Sequence, residues 1–191
     1  MSEKQAVSVE LKDLVKVFPA YGSQNDFTAV NHVSLVAEPG EMVTLLGPSG
    51  CGKTTVGKTL LNLTPKTSGE VIFNGNVHLD QLSARELRAF RPKIQIIFQD
   101  PYSSLDSRKT IESTIREPLK VAKKYSRQEI DEKTGELMTL VGIDERLRQA
   151  YPHELDGGRR QRVGIARALA LDPEFVVCDE PVSALDVSIQ A

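Results

Sequence analysis

Nowhere in its 191 residues does this chain carry an apolar run approaching the roughly 18 residues that a membrane-spanning helix needs. The N-terminal stretch MSEKQAVSVELKDL mixes acids and bases where a secretory signal requires a continuous apolar segment. Cysteine is scarce: Cys51 lies in a glycine-rich loop and Cys178 in an apolar run, which excludes a disulfide framework and fits reduced thiols in the cytosol. Excess positive charge is missing as well. The 24 Lys plus Arg and 26 Asp plus Glu leave a net charge of −2, with no electrostatic footprint for nucleic acid. No internal repeat or low-complexity tract is visible. What remains, 40% hydrophobic and 26% charged, is the composition of a globular protein with one good core and room for a subdomain.

What the chain does have is GPSGCGKTT, Gly47 to Thr55, which contains G-x-x-x-x-G-K-[ST]. A short apolar run, Met42 to Leu46, precedes it and a helix-compatible stretch, Val56 to Leu63, follows. Strand, glycine turn and helix is the context of a phosphate-binding loop, in which backbone N–H groups and the helix N-terminus converge on an anion. Lys53 can then reach the β- and γ-phosphates, and the Thr54 hydroxyl can bind Mg²⁺.

The rest of the chain reads as strands first and helices later. Val7 to Phe18 and the AVNHVSLVAEPGE segment alternate as strands, the second closed by a Pro39-Gly40 turn, and the run before the phosphate loop is expected as a third. Gly69 to Gly75 is a further strand, and Ser83-x-x-Glu86 is a capping box opening a helix over Ala84 to Phe90. Ile94 to Phe98, a short continuous apolar run, fits a central strand buried on both faces. From Gln99 to about Leu171 only helical patterns occur. Ser126-x-x-Glu129 opens one helix with Ile130, Leu137, Leu140 and Val141 on one face and Gly142 as its stop. Another starts near Gly158 and carries Val163, Ala166, Leu169 and Ala170 on one face. Phe175 to Cys178 returns as a buried strand that ends in Asp179-Glu180. An acid at such a strand end can hold Mg²⁺ and the next can deprotonate an attacking water.

Between the phosphate loop and those acids lies Leu155-Asp156-Gly157-Gly158-Arg159-Arg160-Gln161-Arg162, which resembles the LSGGQ-type signature of ATP-binding-cassette (ABC) ATPases. Gln99 resembles that family's Q-loop, and Ser183-Ala184-Leu185-Asp186 its D-loop. The resemblance implies an α/β fold: a P-loop NTPase core with a mostly parallel sheet and an N-terminal antiparallel β subdomain, interrupted by an all-helical subdomain. Residues 1–98 plus 172–191 would form the ATP-binding core and 99–171 the helical, signature-bearing part.

The resemblance also implies roles. Two ATPase subunits would pack head to tail and enclose two ATPs with Mg²⁺, each held by one phosphate loop and the partner's signature. Gly47, Pro48, Ser49, Gly50, Cys51, Gly52, Lys53, Thr54 and Thr55 would cradle the phosphates, and Thr54, Gln99 and Asp179 would serve the metal. Glu180 would be the general base, assisted by Gln99 and Lys53. Asp156, Gly157, Gly158, Arg159 and Asp186 would meet the partner subunit and its nucleotide. Phe18 stands at the adenine-stacking position, although Tyr21 or Phe27 would also serve.

The flanks FQDPYSSLDSRKTI, YPHELDGGRRQRVGIARALALDP and CDEPVSALDVSIQA are similar to the oligopeptide and dipeptide importer branch. That implies transmembrane permease subunits, an indirect link to a solute-binding protein, and a peripheral place on the cytoplasmic face of the membrane. The alternatives are a soluble ABC ATPase of the phosphonate-degradation type and a catalytically weak partner in an unequal dimer.

Two features depart from the family. Asp156 stands where serine is usual and Arg159 where glutamine is usual. A carboxylate about 4 Å from a phosphate charge costs up to about 4 kcal/mol at an effective dielectric of about 20. The i, i+3 spacing lets Arg159 pair with Asp156 and turn the acid aside. The family's switch histidine follows the D-loop, whereas His32, His78 and His153 all precede Asp179. The expectation is therefore a sequence truncated at its C-terminus that turns ATP over slowly or not at all. The arginines at 159, 160, 162 and 167 spread around their helix, so they are read as solvated or interface groups.

Overall fold

The computed structural model describes residues 7–20, 25–100 and 104–180. They fall into two compact units that divide at Arg91 and Pro92.

In the first unit, Val9–Phe18 (β1) is the middle strand of an antiparallel sheet, between Phe27–Ala37 (β2) and Ser68–Phe73 (β3). Its alternation buries Val9, Leu11 and Leu14, each at 1% exposure or less, and Phe73 of β3 is equally enclosed. Burying each such side chain is worth about 1.5–3 kcal/mol. Register shifts between Leu11 and Leu14 mark a bulge, with Asp13 at φ 50°. Among its described residues are the helices Lys53–Leu60 (α1), which lies against β1 and β2, and Ala84–Phe90 (α2). The Ser83 capping box is formed in both arms, and Phe90 meets Phe73 edge to face at 5.6 Å.

The segment from Met42 to Leu46, expected as a strand, is not one. All of Glu41 to Gly50 is exposed, Leu46 at 90%. The physical reason is that a strand exists only through its ladder. Among the described residues of this unit, the three strands pair with one another and leave the segment no partner.

In the second unit, Ile94–Ile97 (β4) and Phe175–Cys178 (β5) pair in parallel with register Ile94↔Phe175 to Ile97↔Cys178. Burial is thinner than the expected two-sided strands: Ile94 and Ile97 are enclosed, Gln95 and Ile96 half-buried and Cys178 exposed, since each strand has one neighbour among the described residues. Between them run Ile111–Ala122 (α3), Arg127–Leu140 (α4) and Gly157–Leu169 (α5). No strand occurs among the described residues from 99 to 171. Ile111, Ile115, Met138, Val163 and Ala166 form their shared core, none more than 1% exposed.

Helix α4 closes as its sequence predicts. Gly142 sits at φ 66°, its N–H donates to Thr139 O at 3.1 Å, and the Ile143 N–H donates to Met138 O at 2.8 Å. This is a Schellman motif, with Ile143 and Met138 joined in the core. Leu140, expected on the buried face, is 70% exposed. It lies ten residues after Ile130, about 280° around the helix, whereas Thr134, Leu137, Met138 and Val141 follow the face that packs.

Candidate nucleotide-binding and hydrolysis site

The phosphate loop in the first unit is built on two left-handed glycines. Gly50 has φ 79°, and Gly52, at φ 100°, is the residue before α1. A β-carbon on Gly52 would sit 2.2 Å from the Ala29 carbonyl oxygen on β2, so only glycine fits. The Cys51 N–H donates to Pro48 O at 3.4 Å, and the Lys53 ammonium folds over the loop to the carbonyls of Gly47 (2.9 Å) and Pro48 (3.0 Å).

Helix α1 begins at Lys53, earlier than its apolar pattern suggested, because the loop feeds straight into it. It has no side-chain cap and no acid in its first turn, and Lys58 sits in its last. The first-turn N–H groups therefore face outward with the positive end of the helix dipole, which is an anion-binding arrangement.

Phe18 ends β1 at 40% exposure and pairs in register with Phe27, itself 61% exposed, so both rings share one face of the sheet. Tyr21, the third aromatic candidate, lies outside the described residues, as does Asp186 with the whole D-loop motif.

In the second unit the parallel register brings the ends of β4 and β5 side by side. The Asp179 N–H donates to Ile97 O at 2.9 Å, extending the ladder by one bond. Immediately beyond, the Gln99 amide donates to the Glu180 carboxylate at 2.5 Å across 81 residues of sequence. Glu180 holds φ 44°, a left-handed conformation that costs a non-glycine residue about 1–2 kcal/mol. A strained acid at a strand end, facing the loop glutamine, fits a group placed for chemistry.

The signature helix starts at Gly157, one residue earlier than expected, and Asp156 is its N-cap. Asp156 Oδ1 accepts the Arg159 N–H at 2.7 Å, and Oδ2 lies 3.6 Å from the Arg159 guanidinium. The i, i+3 pairing anticipated from the spacing is thus present. The capping role was missed, although Asp directly before a helix is a recognised signal. At the other end of that turn, Gln161, only 4% exposed, donates to Phe98 O at 3.4 Å and ties the signature helix to the strand that carries Gln99.

The neighbouring arginines are structural. Arg160 donates to the Pro152 carbonyl at 2.5 Å, Arg167 to Ser104 O at 2.6 Å, and Arg162 to the Val141 and Gly142 carbonyls at the end of α4. Burial pushes the Arg167 guanidinium down from its ordinary value. His153 stacks on Tyr151 at 5.7 Å. No cluster of three or more His, Cys, Asp or Glu suited to a metal occurs among the described residues. No helix among them is long and apolar enough to cross a membrane.

These features meet the comparisons with known proteins. The family model described as ABC transporter matches residues 30–183. The oligopeptide transport ATP-binding protein AppF of Bacillus subtilis (strain 168) is 45% identical, over 98% of this chain and 58% of its own length. The oligopeptide transport ATP-binding protein OppF of the same strain is 49% identical, over 85% of this chain and 54% of its own length. Among solved structures, a dimeric ATP-binding cassette in a post-hydrolysis state bound to ADP and Pi superposes with a TM-score of 0.85 at 32% identity, covering 94% of this chain and 77% of that one. The chain belongs to the ABC transporter family, with the α/β P-loop NTPase fold of its ATPase cassettes. It spans a little over half the length of those two curated relatives.

Proposed function

We propose that this chain is the ATP-binding and ATP-hydrolysing subunit of an importer for oligopeptides or dipeptides. The names of its relatives support the solute class, and the dimeric neighbour supports action as a pair of ATPase subunits, identical or not. Permease subunits in the membrane, a solute-binding protein behind them, and a peripheral place on the inner membrane face complete the reading. Residues 1–98 with 172–191 would act as the nucleotide core and 99–171 as the part that carries the signature.

The α1 N-terminus and Lys53 suit the triphosphate of ATP by charge and donor geometry. Thr54, Gln99 and Asp179 offer only oxygen donors, which suits Mg²⁺; the ion would neutralise phosphate charge. Glu180, oriented by Gln99, would take the proton of the attacking water. Asp156, Gly157, Gly158, Arg159 and Asp186 would face the partner's nucleotide, and Phe18 the adenine.

The observation that carries the catalytic assignment is the Gln99–Glu180 hydrogen bond at the paired ends of β4 and β5. Its test is Glu180→Gln in the assembled transporter. Phosphate release is expected to fall about 100-fold or more while ATP binding persists, as for loss of a general base. Undiminished turnover would sink the assignment. A second reading, a subunit whose signature serves a weak site, is favoured by the Asp156 carboxylate on the α5 N-terminus. Faster turnover of the complex carrying Asp156→Ser would support it.

A further inference from the structure

The Phe18 ring has a neighbour that the nucleotide reading leaves unused. Lys16, two residues earlier on β1 and across a register shift at Lys16/Val17, holds its ammonium 4.8 Å from the centre of the Phe18 ring. Lys16 is 8% exposed and Phe18 40% exposed, so the cation sits on an enclosed stem while the aromatic residue keeps access to solvent. Among the described residues no carboxylate pairs with Lys16, which leaves the ring as its electrostatic partner. Phe27, opposite Phe18 in the ladder and more exposed, has no cation over it among those residues. This separates Phe18 from Phe27, which by sequence would also serve.

A cation over an aromatic face draws on its negative quadrupole and leaves the opposite face poorer in electrons. Such a face is a better stacking partner for an electron-rich purine. It is also held in one orientation, because turning the ring would break the contact with the ammonium. We infer that Lys16 is a positioning residue for the nucleobase: it fixes and polarises the Phe18 ring so that the free face receives the purine of a bound nucleotide. The inference rests on the nucleotide-binding reading above and deepens it. Lys16 acts through Phe18 and not on the phosphates, and that separates the two in an experiment.

The test is calorimetric titration of the full chain with MgATP and with magnesium tripolyphosphate, which has the phosphates and no base. Lys16→Met keeps the unbranched stem and removes the charge. It is expected to weaken ATP binding about three- to tenfold, the scale of a cation–π contact. Phe18→Ala is expected to weaken it about tenfold or more, the scale of base–aromatic stacking. The double variant should bind no more weakly than Phe18→Ala alone, because one residue works through the other. Lys16→Arg should stay within about twofold of the wild type, since a guanidinium also sits over a ring.

Tripolyphosphate affinity should not move in any variant, whereas a merely structural lysine would lower both ligands together. Equal losses for ATP and tripolyphosphate in Lys16→Met overturn the inference. So does an unchanged ATP affinity in Lys16→Met beside a weakened Phe18→Ala, with the stacking reading left intact. An unchanged ATP affinity in Phe18→Ala overturns the stacking reading and this inference with it.

Discussion

Helix α1 starts directly after a glycine and α5 at one, each within a family motif, yet their N-termini are finished in opposite ways. The end of α1 has a left-handed Gly52, no side-chain cap and no acid in its first turn. The end of α5 carries Asp156, whose carboxylate accepts the Arg159 N–H and faces its guanidinium. A helix concentrates about half a positive charge at its N-terminus. In α1 that charge is left for an outside anion; in α5 the chain's own acid already answers it. Asp caps a helix about as well as Ser, so folding is indifferent to the choice between them at position 156 and the consequence falls on any phosphate arriving from a partner.

The sharpest way to break the comparison is Gly52→Ala. The left-handed conformation and the collision with the Ala29 carbonyl together should cost about 2–4 kcal/mol, read as a lowered denaturation midpoint, with phosphate binding lost. A variant as stable as the wild type would show that the loop has another way to close. Next comes making α1 resemble α5. Thr55→Asp places an acid in the first turn of α1 and should strengthen the helix by about 0.3–1 kcal/mol. ATP affinity should nevertheless fall about 100-fold through repulsion at close range. If stability and affinity moved together, the dipole account of this loop would fail.

The converse change makes α5 resemble an uncharged end. Asp156→Ala should destabilise the chain by about 1 kcal/mol, and Asp156→Ser by only a few tenths, because serine still caps. If Arg159 compensates the acid, Arg159→Ala should weaken ATP-driven dimerisation more than Asp156→Ser does; sedimentation with ATP gives the ranking, and the reverse order would refute compensation.

The smallest effect is a pH dependence. Asp144, hydrogen-bonded mainly by the Arg146 side chain and N–H and lying in the field of Arg159, has its carboxyl lowered from 3.8 to about 2. Because the folded value is depressed, its contribution is complete above pH 3.8 and disappears as pH falls toward about 2. Asp144→Asn should therefore be slightly less stable above that window, with a flatter acid limb within it. Parallel acid limbs in urea titrations would remove the assignment.

The sequence disclosed what is local. Two capping boxes, at Ser83–Glu86 and Ser126–Glu129, are formed in both arms, and Gly142 closes α4, because each signal works within a few residues. The Gln99–Glu180 pair was readable for a different reason: each follows a strongly apolar run, and two parallel strands in register bring such ends together. What failed depended on distant partners. Met42 to Leu46 has a strand's composition, but a ladder requires a neighbour that composition cannot supply. Arg159 and Arg162 are exposed as read, but Arg160 and Arg167 looked like surface charge because their targets, the carbonyls of Pro152, His153 and Ser104, lie outside their own helix. Leu140 shows that a generous apolar face hides which edge of it packs.

The β4–β5 pairing also bears on how the molecule is made. Its strands enclose nearly the whole helical region, and the Gln99–Glu180 bond closes a span of 81 residues. Antiparallel β1 and β2, by contrast, are joined through a short connection. Closing long spans is entropically unfavourable and slow compared with local pairing. As the chain leaves the ribosome, its phosphate loop can be assembled while Glu180 is still unsynthesised. Pulse-labelled hydrogen exchange should find protection at Leu11 and Leu35 before Ile97 and Cys178. Under that order the phosphate loop is in place, in every molecule, before the Gln99–Glu180 pair can form.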